Sequence, residues 1–177
     1  MPTINGGACV VNDKPVDKVY SNGVQVYGRN LLKNTSDFSS NWSSWPETYS
    51  VSKDIKYNEY PSIMFIPTSR PVNLAMQIIM GTLNQSQYVA SFWAKADNAG
   101  DRAYTELFGS QGAKDFVLTT NWVCYTAILT STQNDTTCYF GVPFGNKGNV
   151  YIALPKLEKG TTTTPWTPAP EDIGIAV

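Results

Sequence analysis

Alternation of apolar and polar positions with a period of two is the dominant pattern along this chain. It is clearest over Gln87–Ala96 (QYVASFWAKA), where Ala90, Phe92 and Ala94 share one face and Val89, Ser91, Trp93 and Lys95 the other. A pleated strand sends successive side chains to opposite sides, and the pattern alone leaves open which side is buried. Ala103–Phe108, Phe116–Thr119, Trp122–Thr130 and Thr136–Val142 continue the series, and Ser62–Ile66, closed by Pro67, adds a short strand. Val72–Met80 has a periodicity open to helix or strand; its length and the Gly81 stop fit a strand. Asn30-Leu31-Leu32 reads as the first strand of the main body. Residues 33–50, with Trp42 and Trp45 among Ser and Asn, read as a loop or irregular strand. Asn98–Asp101, Gly109–Gly112 and Gly145–Asn149 are turn clusters between these runs. No segment has the pattern of a capped amphipathic helix. Many short strands with frequent turn signals predict an all-β sandwich or barrel.

The two ends of the chain read differently. Val19–Tyr27 predicts a hairpin about Asn22-Gly23, because a type I′ turn needs positive φ at both central positions. Pairing across that turn is expected to set Ser21 opposite Val24 and Val19 opposite Val26, with Tyr20 and Gln25 on the other face. A lone hairpin is marginal in water, so it should lean on the main body or on a partner chain. This divides the chain into an N-terminal hairpin or linker, residues 1–28, and a main domain, residues 29–177. Towards the other end, Tyr151–Leu154 reads as a strand halted by Pro155, which has no N–H to donate. Lys156–Gly160 reads as a turn out of the sheet. Trp166 lies in a tail stiffened by Pro165, Pro168 and Pro170 and is expected to fold back as a cap on the core.

Composition narrows the chemistry. Apolar residues make up 42% of the 177, enough for a core, but charged residues are only 15% and the net charge is −1. The surface must be rich in neutral polar groups, which suits hydrogen bonding to neutral polyols. It argues against nucleic acid, which needs a basic footprint, and against a polybasic membrane contact. The start, Met1-Pro-Thr-Ile-Asn-Gly-Gly, lacks the pattern of a signal peptide, and no run is long and apolar enough to predict a membrane-inserted helix. With no histidine, Ser–His–Asp and Cys–His catalysis and most zinc sites are excluded. Glycoside hydrolysis needs two facing carboxylates; the candidates Glu47, Asp54, Glu59, Asp97, Asp101, Glu106 and Asp115 form no motif, so no catalytic residue is expected. Cys9, Cys124 and Cys138 lack metal spacing. They read as buried reduced thiols, with a bridge between Cys124 and Cys138 left open. No calcium-loop motif is present, and no metal or cofactor is expected.

The run PKLEKG, several Thr, then Trp-Thr-Pro-Ala-Pro-Glu-Asp (155–172) resembles the closing segment of carbohydrate-binding-like β-sandwich modules in tail proteins of phages that infect Gram-positive, notably lactic acid, bacteria. DKVYSNGVQVYGRNLL (17–32) is similar to the lead-in to such modules. The resemblance implies a jelly-roll β-sandwich with an N-terminal hairpin extension. It also implies a location in the virion, host cell-wall saccharide and other tail proteins as partners, and an aromatic platform on a sheet face. Five Trp, ten Tyr and seven Phe make such a platform available. Flat rings bury sugar C–H faces at low entropic cost, and nearby polar side chains bond the hydroxyls. The candidate ligand-binding residues are Trp93 and Lys95, if that face of their strand is outward; Trp42 and Trp45 in a polar loop; Tyr104 and Glu106 on one strand face; and Tyr57 and Tyr60 about Asn58-Glu59. Trp122 is expected in the core. An assembly module that binds another tail protein and no sugar is the alternative.

Overall fold

The computed structural model describes residues 3–5, 7–12, 14–46, 49–67, 69, 72–79, 86–107, 112–132 and 136–174. Its strands are β1 (Thr3–Asn5), β2 (Ala8–Val11), β3 (Lys14–Pro15), β4 (Lys18–Ser21), β5 (Val24–Gly28), β6 (Ser43–Trp45), β7 (Ser50–Tyr57), β8 (Tyr60–Phe65), β9 (Val72–Ile79), β10 (Gln87–Ala96), β11 (Arg102–Leu107), β12 (Lys114–Val117), β13 (Val123–Thr130), β14 (Thr136–Pro143) and β15 (Val150–Lys159). Two five-stranded sheets dominate. The first has the order β13-β10-β15-β8-β7 and the second β12-β11-β14-β9-β6, with every pairing antiparallel. From β8 to β15 the chain passes back and forth between them in the double Greek key of a jelly-roll β-sandwich. The inner faces meet in one core, with Ile63, Phe65, Phe92, Ile152 and Leu157 from the first sheet against Leu107, Phe140 and Val142 from the second. Phe92 packs edge-on to Phe140, with ring centroids 5.4 Å apart. Each such side chain contributes about 1.5–3 kcal/mol on burial. β7 eluded the sequence reading because it is an edge strand whose residues are mostly polar.

Ala90, Phe92 and Ala94 face this core, which puts Trp93 and Lys95 on the outer surface of the first sheet. Several other expectations need correction. Pro155 does not end its strand: β15 pairs with β8 over Val150–Ile152 and runs on along β10 to Lys159. A bulge lets it continue. Ser91 pairs with Lys156 and Trp93 with Ala153, so Leu154 and Pro155 are set out of the ladder opposite Phe92, Leu154 with φ +49°. A bulge is where a strand tolerates a residue without an N–H. Lys156–Glu158 are therefore buried strand, not a turn; the chain leaves the sheet at Gly160, whose φ is +111°. Asn30-Leu31-Leu32 is not a strand. The Asn30 side chain instead works as a hub, its Oδ1 accepting from the N–H of Leu32 and Leu157 and its Nδ2 donating to Thr35 and to the carbonyl of Thr167. Cys124 and Cys138 lie in different sheets and all three cysteines are free. Cys9 and Cys138 are buried and Cys124 is exposed.

At the N-terminus, β1–β3 form a small antiparallel sheet, and β2 packs on a single 3₁₀ turn in the tail, Pro170–Ile173. The β4–β5 hairpin turns at Asn22-Gly23 with φ +50° and +78°. Ser21 pairs with Val24 and Tyr20 with Gln25, but a bulge then sets Val19 opposite Tyr27 instead of Val26. The hairpin ends at Gly28, where any Cβ would collide with the Glu158 carboxylate. That close approach brings the Gly28 N–H to the Thr164 hydroxyl at 3.0 Å. The same hydroxyl accepts from Lys156 Nζ at 2.7 Å and donates to Glu158 Oε2 at 2.7 Å, which uses its full hydrogen-bonding capacity. Lys156 and Glu158, both wholly buried, are 3.5 Å apart. Burial holds the Lys156 ammonium below its ordinary pKa, and Glu158 offsets part of that shift. Trp166 folds back with its indole N–H donating to Thr35 Oγ1 and its ring 5.1 Å from Tyr60, on the outer side of the first sheet and not, as expected, against the core.

Candidate functional site

The predicted ligand-binding residues divide between the two outer faces of the sandwich. On β11, Ala103 and Leu107 belong to the core, so Tyr104 and Glu106 fall on the outer side of the second sheet, Glu106 half-buried and Tyr104 only 7% exposed. On β14 the core residues are Cys138, Phe140 and Val142, so Tyr139 and Gly141 share that outer face. The register aligns these positions across the strands. One row runs Asp115, Tyr104, Gly141, the backbone of residue 74, Trp45. The next runs Glu106, Tyr139, Met76, Ser43. Trp45 is 56% exposed. Gly141 leaves the middle of its row without a side chain, between Tyr104 and Trp45, which stand three strand spacings or about 14 Å apart. At the start of β6 the face opens into a cavity of about 780 Å³ whose lining includes Ser43, Met76, Ile78, Thr137, Lys33 and Trp42. The Trp42 ring is fixed there: it packs on Phe38 and Phe140, and its indole N–H donates to the Lys33 carbonyl at 2.9 Å. The same carbonyl accepts from Gln77 Nε2, while Gln77 Oε1 takes the Lys33 N–H.

The electrostatics of this face favour hydrogen bonding. Burial, with Glu106, Asp115 and Tyr139 nearby, pushes the Tyr104 phenol far above its ordinary pKa, so it stays a protonated donor. Burial also raises the Glu106 carboxyl and the Tyr139 phenol. Tyr139 was missed by the sequence reading. The period-two pattern through CYFGV held the signal, since fixing Phe140 inward fixes Tyr139 outward.

Trp93, Lys95, Tyr57 and Tyr60 lie on the opposite side of the molecule, against the outer face of the first sheet. Tyr57 stacks on Trp93 with centroids 4.0 Å apart. Trp122, expected in the core, meets Tyr57 edge-on at 5.7 Å instead, because it precedes the edge strand β13 and falls on the outer side. Lys95 Nζ lies 5.8 Å from the centre of the Tyr151 ring. Tyr57 and Tyr60 are partners across the β7–β8 turn. A cavity of about 410 Å³ separates Trp93 from Trp166.

Three of the seven scattered carboxylates serve turns or a surface pair. Asp101 accepts from the N–H of Lys147 and Gly148 at 2.8 and 2.9 Å, and Asp97 from that of Asn149. Asp115 pairs with Arg102 at 3.1 Å. Glu47 lies outside the described residues. Among the described residues no group of three or more His, Cys, Asp or Glu is placed to hold a metal ion.

No family model matches the chain. No curated protein matches its sequence. Solved structures do share its fold. A sugar-binding protein described as putative, from Bacteroides thetaiotaomicron, has a TM-score of 0.57 at 15% identity over 75% of this chain and 100% of its own. The CBM22-1 xylan-binding domain of Xyn10C from Paenibacillus barcinonensis has a TM-score of 0.56 at 11% identity, covering 78% and 99%. The enzymatically active domain of tailspike protein 4 of bacteriophage CBA120 has a TM-score of 0.56 at 16% identity over 74% of this chain, which spans about a fifth (21%) of that structure. At these identities the likeness defines the jelly-roll sandwich architecture.

Proposed function

We propose that this protein is a non-catalytic carbohydrate-binding module that holds a saccharide along the outer face of its second sheet. The observation that carries this reading is the register: it sets Tyr104, Tyr139 and Trp45 in adjacent rows with Asp115 and Glu106 about the side-chain-free Gly141. Aromatic surface takes the C–H faces of sugar rings, and the carboxylates and the protonated Tyr104 phenol take their hydroxyls. The cavity beside Trp42 lengthens the groove at one end. The fold shared with a xylan-binding domain supports the reading. The strings at 17–32 and 155–172 support a place in the tail of a phage of Gram-positive bacteria, where the module would bind host cell-wall saccharide and assist adsorption. Weak single sites suffice in such an assembly, since many linked copies multiply the effect. An assembly role is the second reading, favoured by the exposed Tyr20, Val24 and Val26 of the hairpin.

Tagged protein is expected to label intact Gram-positive cells and to lose that binding when wall polysaccharides are stripped. The double variant Trp45→Ala/Tyr139→Ala is expected to weaken binding by about tenfold or more, the loss of one to two aromatic contacts. Labelling that survives stripping, or is unchanged in the variant, overturns the site. Failure to label any cell of a broad panel, with capture of a tail protein through the hairpin, favours the assembly reading.

A further inference from the structure

We infer that the module carries a second saccharide-binding site on the opposite face, a pocket between Trp93 and Trp166 that takes a single neutral pyranose, so that one molecule bridges two glycan chains.

The pocket has a local cause. The bulge in β15 removes Leu154 and Pro155 from the ladder opposite Phe92, and the depression this leaves is lined by Ser91 and Leu154, with Trp93 and Trp166 at its sides and Cys124 and Thr163 at its rim. Each indole is braced from outside the cavity. Trp93 is stacked on Tyr57, which Trp122 supports edge-on; Trp166 leans on Tyr60 and is tied to Thr35 by its N–H. Tyr57 and Tyr60 are cross-strand partners, so one hairpin end holds both indoles in place. Both indoles line a cavity of about 410 Å³. That volume lies within the range of small-ligand pockets.

The lining sets the ligand class. No charged side chain lines the cavity. The Thr164 hydroxyl at its edge already makes its three hydrogen bonds. Flat apolar sides with hydroxyls from Ser91 and Thr163 suit a neutral ring that presents C–H faces and a few hydroxyl groups. The core separates this pocket from the Tyr104–Trp45 face, and the two look in opposite directions, so both sites can be filled at once. The pocket stands independently of the groove, although bridging requires both.

Cys124 gives the test. It is exposed and lines the pocket, whereas Cys9 and Cys138 are buried, so thiol alkylation by iodoacetamide reports on this site. The labelling is run at a pH of about 8.5, because partial desolvation by the pocket walls raises the pKa of this otherwise accessible thiol. Methyl glycosides of glucose, galactose, xylose and N-acetylglucosamine are the probes. At least one is expected to slow labelling roughly tenfold at about ten times its Kd. Protection is expected to persist in Trp45→Ala/Tyr139→Ala and to be lost in Trp93→Leu, which lowers the melting temperature by losing its stack on Tyr57 but leaves groove binding unchanged. No protection by any of the four probes overturns the second site, whether or not cell binding survives. Protection that disappears with the groove variant also overturns it. Loss of cell binding in the groove variant with protection intact leaves both sites standing.

Discussion

Two residues show how much single side chains decide here. Glu106 is an outward carboxylate whose pKa burial raises, so the folded protein holds its proton more tightly than the unfolded chain does. Between the two pKa values the native state binds more protons, and stability falls as pH rises through that window. Glu106→Gln is therefore expected to stabilise the fold modestly at neutral pH and to flatten that slope, while weakening saccharide binding. Melting curves from pH 4 to 7, with binding measured in parallel, check both effects; a slope that persists in the variant shows that another group causes it. Thr164 is the second case. Thr164→Val leaves the Gly28 N–H, the Lys156 ammonium and the Glu158 carboxylate each short of a partner. The expected loss is about 3 kcal/mol, read as a lower urea midpoint with an unchanged slope. An unchanged midpoint would show that the network is not what fastens the tail.

At the scale of elements, the period-two pattern carried most of the fold. β10 coincides with the predicted Gln87–Ala96, and β8, β9, β11, β13 and β14 fall on predicted runs, because each has one apolar face aimed at the core. β15 was half-read: local chemistry gave Pro155 as a stop, and only the pairing with β10 shows that a bulge absorbs it. The Asn30 hub was invisible for a similar reason, since its partners Leu157 and Thr167 are more than 120 residues away in the chain. Among the candidate site residues, strand parity placed Tyr104 with Glu106 and Trp93 with Lys95. Whether those pairs share a surface depends on which sheet each strand joins, and alternation within a strand does not encode that. Trp122 shows the same limit from the other side, as a large aromatic outside the core that the sequence assigned to it.

For the molecule as a whole, the sequence lacks histidine, the side chain whose ordinary pKa falls between pH 6 and 8. Binding to a neutral saccharide is expected to change by less than about twofold across that interval, and a steeper change would point to a charged ligand. The position of β15 has a further consequence. It lies at the centre of its sheet, yet of the described sandwich strands it is the last in chain order and so the last of them to leave the ribosome. Until residues 150–159 emerge, β10 and β8 each present an unpaired edge, and such edges recruit other chains. A chain cut after Asn149 is expected to be expressed as aggregate, whereas supplying residues 150–174 as a separate peptide during refolding should restore soluble protein. Synthesis of this sandwich is thus a wait for its keystone, and the interval before that strand arrives is when the nascent chain most needs a chaperone.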